Sequence, residues 1–328
     1  MKLLECIPNI SEGRDETIIN AVAQAIKSVE GVKLLHTDSG YAANRTVFTF
    51  VGEPEAVLKA AFEFYKVSLN LIDMRKHSGT HPRMGAVDVC PFVPLGDTPM
   101  LEAIDIASRL AFMLESEFNI PGYYYGFNAT WPDHTNLSFL RKGEYESLPA
   151  KFKEMPIDFG NADNCQKSGV TVIGARNLLV AYNINLSTQD VAVAKKIAGI
   201  IRQSGTISLS STGERLGTAG KLAGVRAIGW YIKDFNRVQV SCNLTDLSLS
   251  SMLDVFLAVK EEAEKLGITV TGSELIGLAP ISEFEKAAAY FEPNSSDPIK
   301  AAIKGFGLDE IKPFDANKKI IEKLLTNA

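Results

Sequence analysis

Histidine and cysteine are scarce in this chain, with four of each in 328 residues. The cysteines, Cys6, Cys90, Cys165 and Cys242, are scattered and form no CxxC pair. That spacing argues against a zinc ribbon or a disulfide framework and fits reduced thiols in a cytoplasmic protein. Long blocks of Lys or Arg are also missing. The 34 basic and 39 acidic residues leave a net charge of −5, which argues against nucleic acid as the main partner. No apolar run is long enough to span a bilayer, so no membrane role is expected. The opening MKLLECIPNISEGRD reaches Glu5 before an apolar segment of secretory length has formed.

What remains is an ordinary globular composition, 46% hydrophobic and 22% charged. It has enough apolar residues for a sizeable core and a length suited to two domains. The first half alternates element types. KLLECIPNI reads as a strand, and Asp15 caps a helix whose apolar residues run from Ile18 to Val29 at helical spacing. VKLLHTD and RTVFTFVG read as strands, and Glu53-Pro54 opens a second helix. AVDVCPFVPL is a near-continuous apolar strand, followed by a helix from Asp97 to about Phe118 and a short strand GYYYGFN. The order strand–helix–strand–strand–helix–strand is that of a split βαβ sheet. A polar connection over 149–169 ends this half. The second half opens on VTVIGARNLLVAYNINL, read as a strand pair turning near Gly174 to Asn177, and repeats the theme. It contains a hairpin turning at Asp234 to Asn236 and a helix from Ser250 to Leu266.

The segment HSGTHPRMGAVDVCP holds two of the four histidines, His77 and His81. They are four residues apart, but Gly79 and Pro82 make a helix there unfavourable, so the pair does not aim at one ion as it would on a helix. A serine nucleophile would need a G-x-S-x-G elbow, which is absent. General acid–base chemistry fits an imidazole on a glycine-containing loop before a buried strand, and a plain solvated turn is the alternative. Arg83 is suited to clamping a carboxylate, and Asp88 inside an apolar strand needs a partner. Asp38 ends one strand and Asn44-Arg45 begins the next, placing them either as turn caps or on the same side of the sheet as the histidine loop. The stretch STGERLGTAGKLAGV is read as a flexible loop. A phosphate loop would need Gly where Arg215 stands and Ser or Thr where Leu222 stands.

Taken together, CIPNISEGRD, NRTVFTFVG, LIDMRKHSGTHPRMGAVDVCPFVPL and RKGEYESLP resemble the N-terminal subdomain of the glutamate formimidoyltransferase family. GARNLLVAYNINL, GVRAIGWYI, QVSCNLTD and GSELIGLAP resemble its C-terminal subdomain, in the same order. The resemblance covers nearly the whole chain. It implies an α+β protein of two ferredoxin-like subdomains, 1–169 and 170–328, with folate bound between them, and commonly a homodimer. It implies transfer of a formimidoyl group from N-formimidoyl-L-glutamate to N5 of tetrahydrofolate, the co-substrate, in histidine breakdown. No metal is implied. A cyclodeaminase domain follows in some relatives; this chain is expected to be monofunctional, with any cyclodeaminase a separate protein.

The family's catalytic histidine falls on His81, and its folate-contacting segment on 162–171, with Lys167, Ser168, Gly169 and Thr171. Asp38 is then expected to orient His81 or attract the amidinium. Arg45 and Arg83, with Asn44, are expected at the glutamate carboxylates, and His77 in a supporting role. Two alternatives share the site: a formyl transferase using N-formylglutamate and 5-formyltetrahydrofolate, and a catalytically silent folate-binding protein.

Overall fold

The computed structural model describes residues 2–209, 215–233 and 236–326. The protein is mixed α+β and divides into two compact units, Met1–Asn177 and Leu178–Ala328.

In the first unit, strands β1 (Lys2–Cys6) and β2 (Asn9–Ile10) are two halves of one interrupted strand. Helix α1 (Glu16–Lys27) follows, its first turn held by the Asp15 carboxylate, which accepts from the amides of Thr17 and Ile18. Strands β3 (Val32–Gly40) and β4 (Arg45–Gly52) form a hairpin. Helix α2 (Pro54–Leu71) starts on a proline, whose missing N–H costs nothing in a first turn. Strand β5 (Val87–Gly96) and helix α3 (Met100–Phe118) come next, and Asn119 ends α3 in the left-handed region. The β1/β2 strand lies between β4 and β5, antiparallel to both. The side-by-side order is therefore β3, β4, β1/β2, β5.

Side chains alternate across this sheet with period two. Leu4, Cys6, Phe48, Phe50, Cys90 and Phe92 join the buried residues of the three helices in one core. Their neighbours Glu5, Val47, Val51 and Val89 fall on the opposite face. Opposite Asn9–Ile10 the register slips, Asn9 facing Val89 and Ile10 facing Val87. Asp88 is the extra residue of that bulge, which turns it away from the helix core.

Beyond β5 the sheet grows by β6 (Gly122–Tyr124), by short helices α4 (Leu137–Leu140), α5 (Leu148–Glu154) and α6 (Cys165–Ser168), and by β7 (Thr171–Ala175). Strand β7 inserts between β5 and β6, parallel to each. This corrects the reading of 170–186 as a strand pair. The first strand of that stretch belongs to the first unit and the second to the next, so the division falls at 177/178 rather than 169/170. Parallel pairing between β5 and β7 satisfies backbone groups that a local hairpin would have used.

The second unit begins with β8 (Val180–Leu186) and helix α7 (Val191–Ile201). Strands β9 (Thr206–Leu209) and β10 (Arg215–Thr218) form a separate antiparallel pair. The stretch read as a flexible loop is thus strand over Arg215–Thr218, while 211–214 lie outside the described residues. Lys221 is paired with Glu261 and Glu262. Strands β11 (Val225–Ile232) and β12 (Arg237–Leu244) form a hairpin whose expected turn at 234–235 also lies outside the described residues. Helix α8 (Met252–Glu264) carries a full capping box between Ser251 and Asp254, and β13 (Val270–Ile276) closes the sheet. The order is β11, β12, β8, β13, antiparallel throughout. With β1/β2 counted as one strand, the first four strands of the first sheet and the four strands of this second sheet both run second, third, first, fourth.

Candidate active site

The histidine segment leaves α2 through a short 3-10 turn, Met74–Lys76, capped by the Asp73 carboxylate. His77 then uses both ring nitrogens. Nε2 lies 2.8 Å from the carbonyl oxygen of Asn44, and Nδ1 accepts from Nε of Arg83 at 3.1 Å. Because Arg83 can only donate, Nδ1 is the acceptor and the ring is the neutral Nε2–H tautomer. Burial lowers its pKa, consistent with a neutral ring. His77 is therefore a pin between two loops, with no ring nitrogen left for another ligand.

Asn44 is the second pin. It sits at φ +50, a conformation asparagine tolerates better than most side chains. Its Oδ1 accepts from the Gly13 amide, and its Nδ2 donates to the Ser78 carbonyl, both at 2.9 Å. Thr80 adds a backbone bond to Ala42. A Cβ on Gly79 would lie 2.1 Å from the Ala43 carbonyl oxygen, so only glycine lets the two loops touch. The side chain of Asn44, expected at the substrate, is engaged in holding the loops together.

Arg83 is buried, and its guanidinium is fully occupied. One terminal nitrogen donates to Glu144 at 2.9 Å and Glu146 at 2.8 Å; the other donates to Glu146 at 2.6 Å and reaches the His77 carbonyl at 3.5 Å. With Nε on His77, all five N–H groups have an acceptor. The geometry that suits Arg83 to a substrate carboxylate is taken up by two glutamates of the protein itself.

Past this clamp lies Asp88. Its Oδ1 accepts from the Met84 amide at 2.8 Å, and its Oδ2 accepts from Nε and one terminal nitrogen of Arg141 at 2.9 and 2.5 Å. Lys151 donates to the carbonyls of Leu140 and Lys142, either side of Arg141, and so fixes that segment. Among the described residues, the second terminal nitrogen of Arg141 has no hydrogen-bond partner. Arg45 donates to Asn9 through one terminal nitrogen, while its Nε is buried without a partner. Burial, then the positive charge of Arg141, lowers its pKa to about 10; Asp88 and Asp38 oppose that shift.

His81 stands among these groups. It is half-buried, and its Nδ1 is shielded from solvent without a hydrogen-bond partner. Burial and the nearby Arg45 and Arg141 guanidinium groups push its pKa down to about 4, against the pull of Asp88. At neutral pH it is an unprotonated imidazole with an unused nitrogen. Asp38 is exposed on β3, opposite Val47, and makes no hydrogen bond to His81; its charge is felt by Arg45.

The 162–171 segment packs beside this constellation by its backbone. Gly169 pairs with Gly85, the Ser168 carbonyl accepts from the Ala86 amide, and Val170 donates to the Met84 carbonyl. Gly169 has φ +66, and a Cβ there would meet the Met84 oxygen at 2.1 Å. Lys167 donates to the Asn70 carbonyl at the end of α2. Ser168 Oγ bonds the carbonyls of Asn164 and Gly169. Thr171 is buried, its hydroxyl 2.6 Å from that of Tyr65. The geometry thus engages the Thr171 hydroxyl with Tyr65 in the interior.

Sequence reasoning missed Arg141, Glu144 and Glu146. They fall within RKGEYESLP, a charged turn whose acids and base had no visible partner until the fold brought them to Arg83 and Asp88.

The two units carry the two halves of a formiminotransferase. The family model for the formiminotransferase domain, N-terminal subdomain, matches residues 3–176, and that for the formiminotransferase domain matches 181–326. The chain belongs to the formiminotransferase domain family. It is 38% identical to a glutamate formimidoyltransferase of Streptococcus pyogenes, over 99% of both chains. It is also 38% identical to one of Thermoplasma acidophilum, over 89% of this chain and 92% of the other. A formimidoyltransferase-cyclodeaminase of Rattus norvegicus is 40% identical, and there the match covers all of this chain but 60% of the relative. The chain thus spans about 60% of the length of such two-part relatives.

Proposed function

We propose that this protein is a glutamate formimidoyltransferase, moving the formimidoyl group of N-formimidoyl-L-glutamate to N5 of tetrahydrofolate and releasing L-glutamate. The observation that carries this reading beyond kinship is His81, a neutral imidazole with a free, shielded Nδ1 beside two guanidinium groups.

The folate N5 attacks the amidine carbon, forming the new C–N bond and a tetrahedral centre. His81 accepts the N5 proton. The bond from that centre to the glutamate nitrogen then breaks, and His81 returns the proton to the departing amine, so one group serves as base and then acid. Arg45 and Arg141 have uncommitted N–H donors for the glutamate carboxylates, a geometry arginine suits better than lysine. Asp38, exposed nearby, balances the charge of Arg45 and attracts an amidinium. Gly169 and Ser168 shape the backbone beside the site.

Both units are read as ferredoxin-like, supported by their shared second–third–first–fourth strand order. The same reading takes the protein as a cytoplasmic homodimer whose 5-formimidoyl-folate product passes to a cyclodeaminase.

The test is a paired assay on the purified protein and its His81→Ala variant with tetrahydrofolate and either the formimidoyl or the formyl donor. Glutamate release and the substituted folate are followed. Turnover with the formimidoyl donor, lost in the variant, is expected. Turnover with the formyl donor alone would keep the site and change the reaction. Folate binding without turnover would make the protein a folate carrier.

A further inference from the structure

A second polar cluster lies on the sheet face that carries Arg45. Glu5, in the middle of β1, faces Val51 on one side and Val93 on the other. Phe92 pairs with Ala175, so Arg176 sits beside Val93, one strand further on. Glu5, Val93 and Arg176 therefore lie abreast on one face. Arg176 donates through one terminal nitrogen to the Asn177 carbonyl at 2.9 Å, and its charge also acts on the Tyr125 hydroxyl.

Glu5 is 1% exposed and Tyr125 4% exposed. Glu5 Oε2 and the Tyr125 hydroxyl are both buried without any partner. A buried carboxylate oxygen with no donor is costly, and folded chains retain few of them. Burial raises the Glu5 pKa to about 7, against the opposing Arg176 charge. Packing does not require a carboxylate here, since Leu would fill a similar volume without that cost.

The cluster offers an acceptor pair, a phenol and a guanidinium side by side. That is the complement of a heterocycle edge presenting N–H and NH2 donors next to a carbonyl. We propose that Glu5, Tyr125 and Arg176 form the subsite that reads the amide–amidine edge of the pterin ring, with Glu5 accepting from the ring N–H and the 2-amino group. This rests on the formimidoyltransferase reading for the ligand's identity. Glu5 is four residues from Asn9, the partner of Arg45, or roughly 13 Å along the strand. A fused bicyclic ring and two side chains bridge such a span. Side chains covering this face must move aside for the edge to enter, and satisfying a buried carboxylate offsets that rearrangement.

The test is Glu5→Gln, which keeps volume and removes the charge. Expected are a rise of about 10–100-fold in the KM for tetrahydrofolate and in the Kd for 5-formyltetrahydrofolate. The KM for the formimidoyl donor should not rise with them, and the thermal midpoint should not drop. The 2-desamino analogue of 5-formyltetrahydrofolate should bind the native protein correspondingly more weakly and lose nothing further in the variant. Native folate affinity in a folded E5Q variant overturns the subsite. If E5Q does not fold, equal affinity of the native protein for the two ligands overturns it. Normal transfer with normal folate KM in E5Q would remove the subsite and leave the reaction. Glu5-dependent folate binding without any transfer would remove the reaction and leave the subsite.

Discussion

Nε of Arg83 donates to Nδ1 of His77 at 3.1 Å, and this bond fixes which nitrogen of His77 carries its proton. It also engages Nε of Arg83 and Nδ1 of His77 with each other. Of the two histidines on this loop, His81 is the one with an unpartnered Nδ1.

Arg83→Ala should therefore act on stability first. Its bonds to Glu144 and Glu146 are charge-assisted, and both glutamates are exposed enough to rehydrate when the guanidinium is gone. A loss of about 1.5–3 kcal/mol is expected, read as a lower thermal or urea midpoint, with the KM for the glutamate donor little changed. A large KM rise at unchanged stability would return Arg83 to the substrate.

His81→Ala should lower kcat by roughly 10²–10⁴-fold and leave folate affinity intact. In the native protein, the acid limb of the activity profile should follow a pKa near 4, because burial and two guanidinium groups disfavour the imidazolium. The ordinary value is 6.5, so the folded state binds this proton less well than the unfolded chain. Stability present above pH 6.5 is therefore lost as pH falls toward 4. His81→Asn should flatten that part of the stability profile.

Arg141→Gln removes one of the two positive charges that hold His81 down. The acid limb should move upward, toward 6.5. It also leaves Asp88 buried without its charge partner, so part of any activity loss is structural, and the position of the limb is the diagnostic measurement. An unmoved limb would mean that Arg141 serves Asp88 alone.

Thr171→Val should cost about 1–3 kcal/mol by orphaning the buried Tyr65 hydroxyl, with folate binding unchanged. A selective loss of folate binding at normal stability would place Thr171 at the ligand.

Much of this was legible locally. Asp15 as a cap, Pro54 as a helix start and the apolar alternation of β4 follow from near-neighbour chemistry. The histidine loop was legible as a non-helical, polar, glycine-containing segment before a buried strand. Strand β7 was assigned to the wrong partner because its hydrogen bonds go to β5, some eighty residues earlier, and periodicity shows that a segment is a strand without showing what it pairs with.

The sequence by itself determined most of the regular elements, the family, and the place of His81 on a non-helical loop before a buried strand. Only the tertiary structure decided which polar residues are occupied. Arg83 and Asn44 look like ligand-binding groups until Glu144, Glu146, Gly13 and Ser78 take up their hydrogen bonds. Arg141 and Glu5 look unremarkable until the fold brings one to Asp88 and His81 and leaves the other buried with an unfilled acceptor. A side chain's availability is a balance of donors and acceptors, and that balance closes only when distant strands and turns meet.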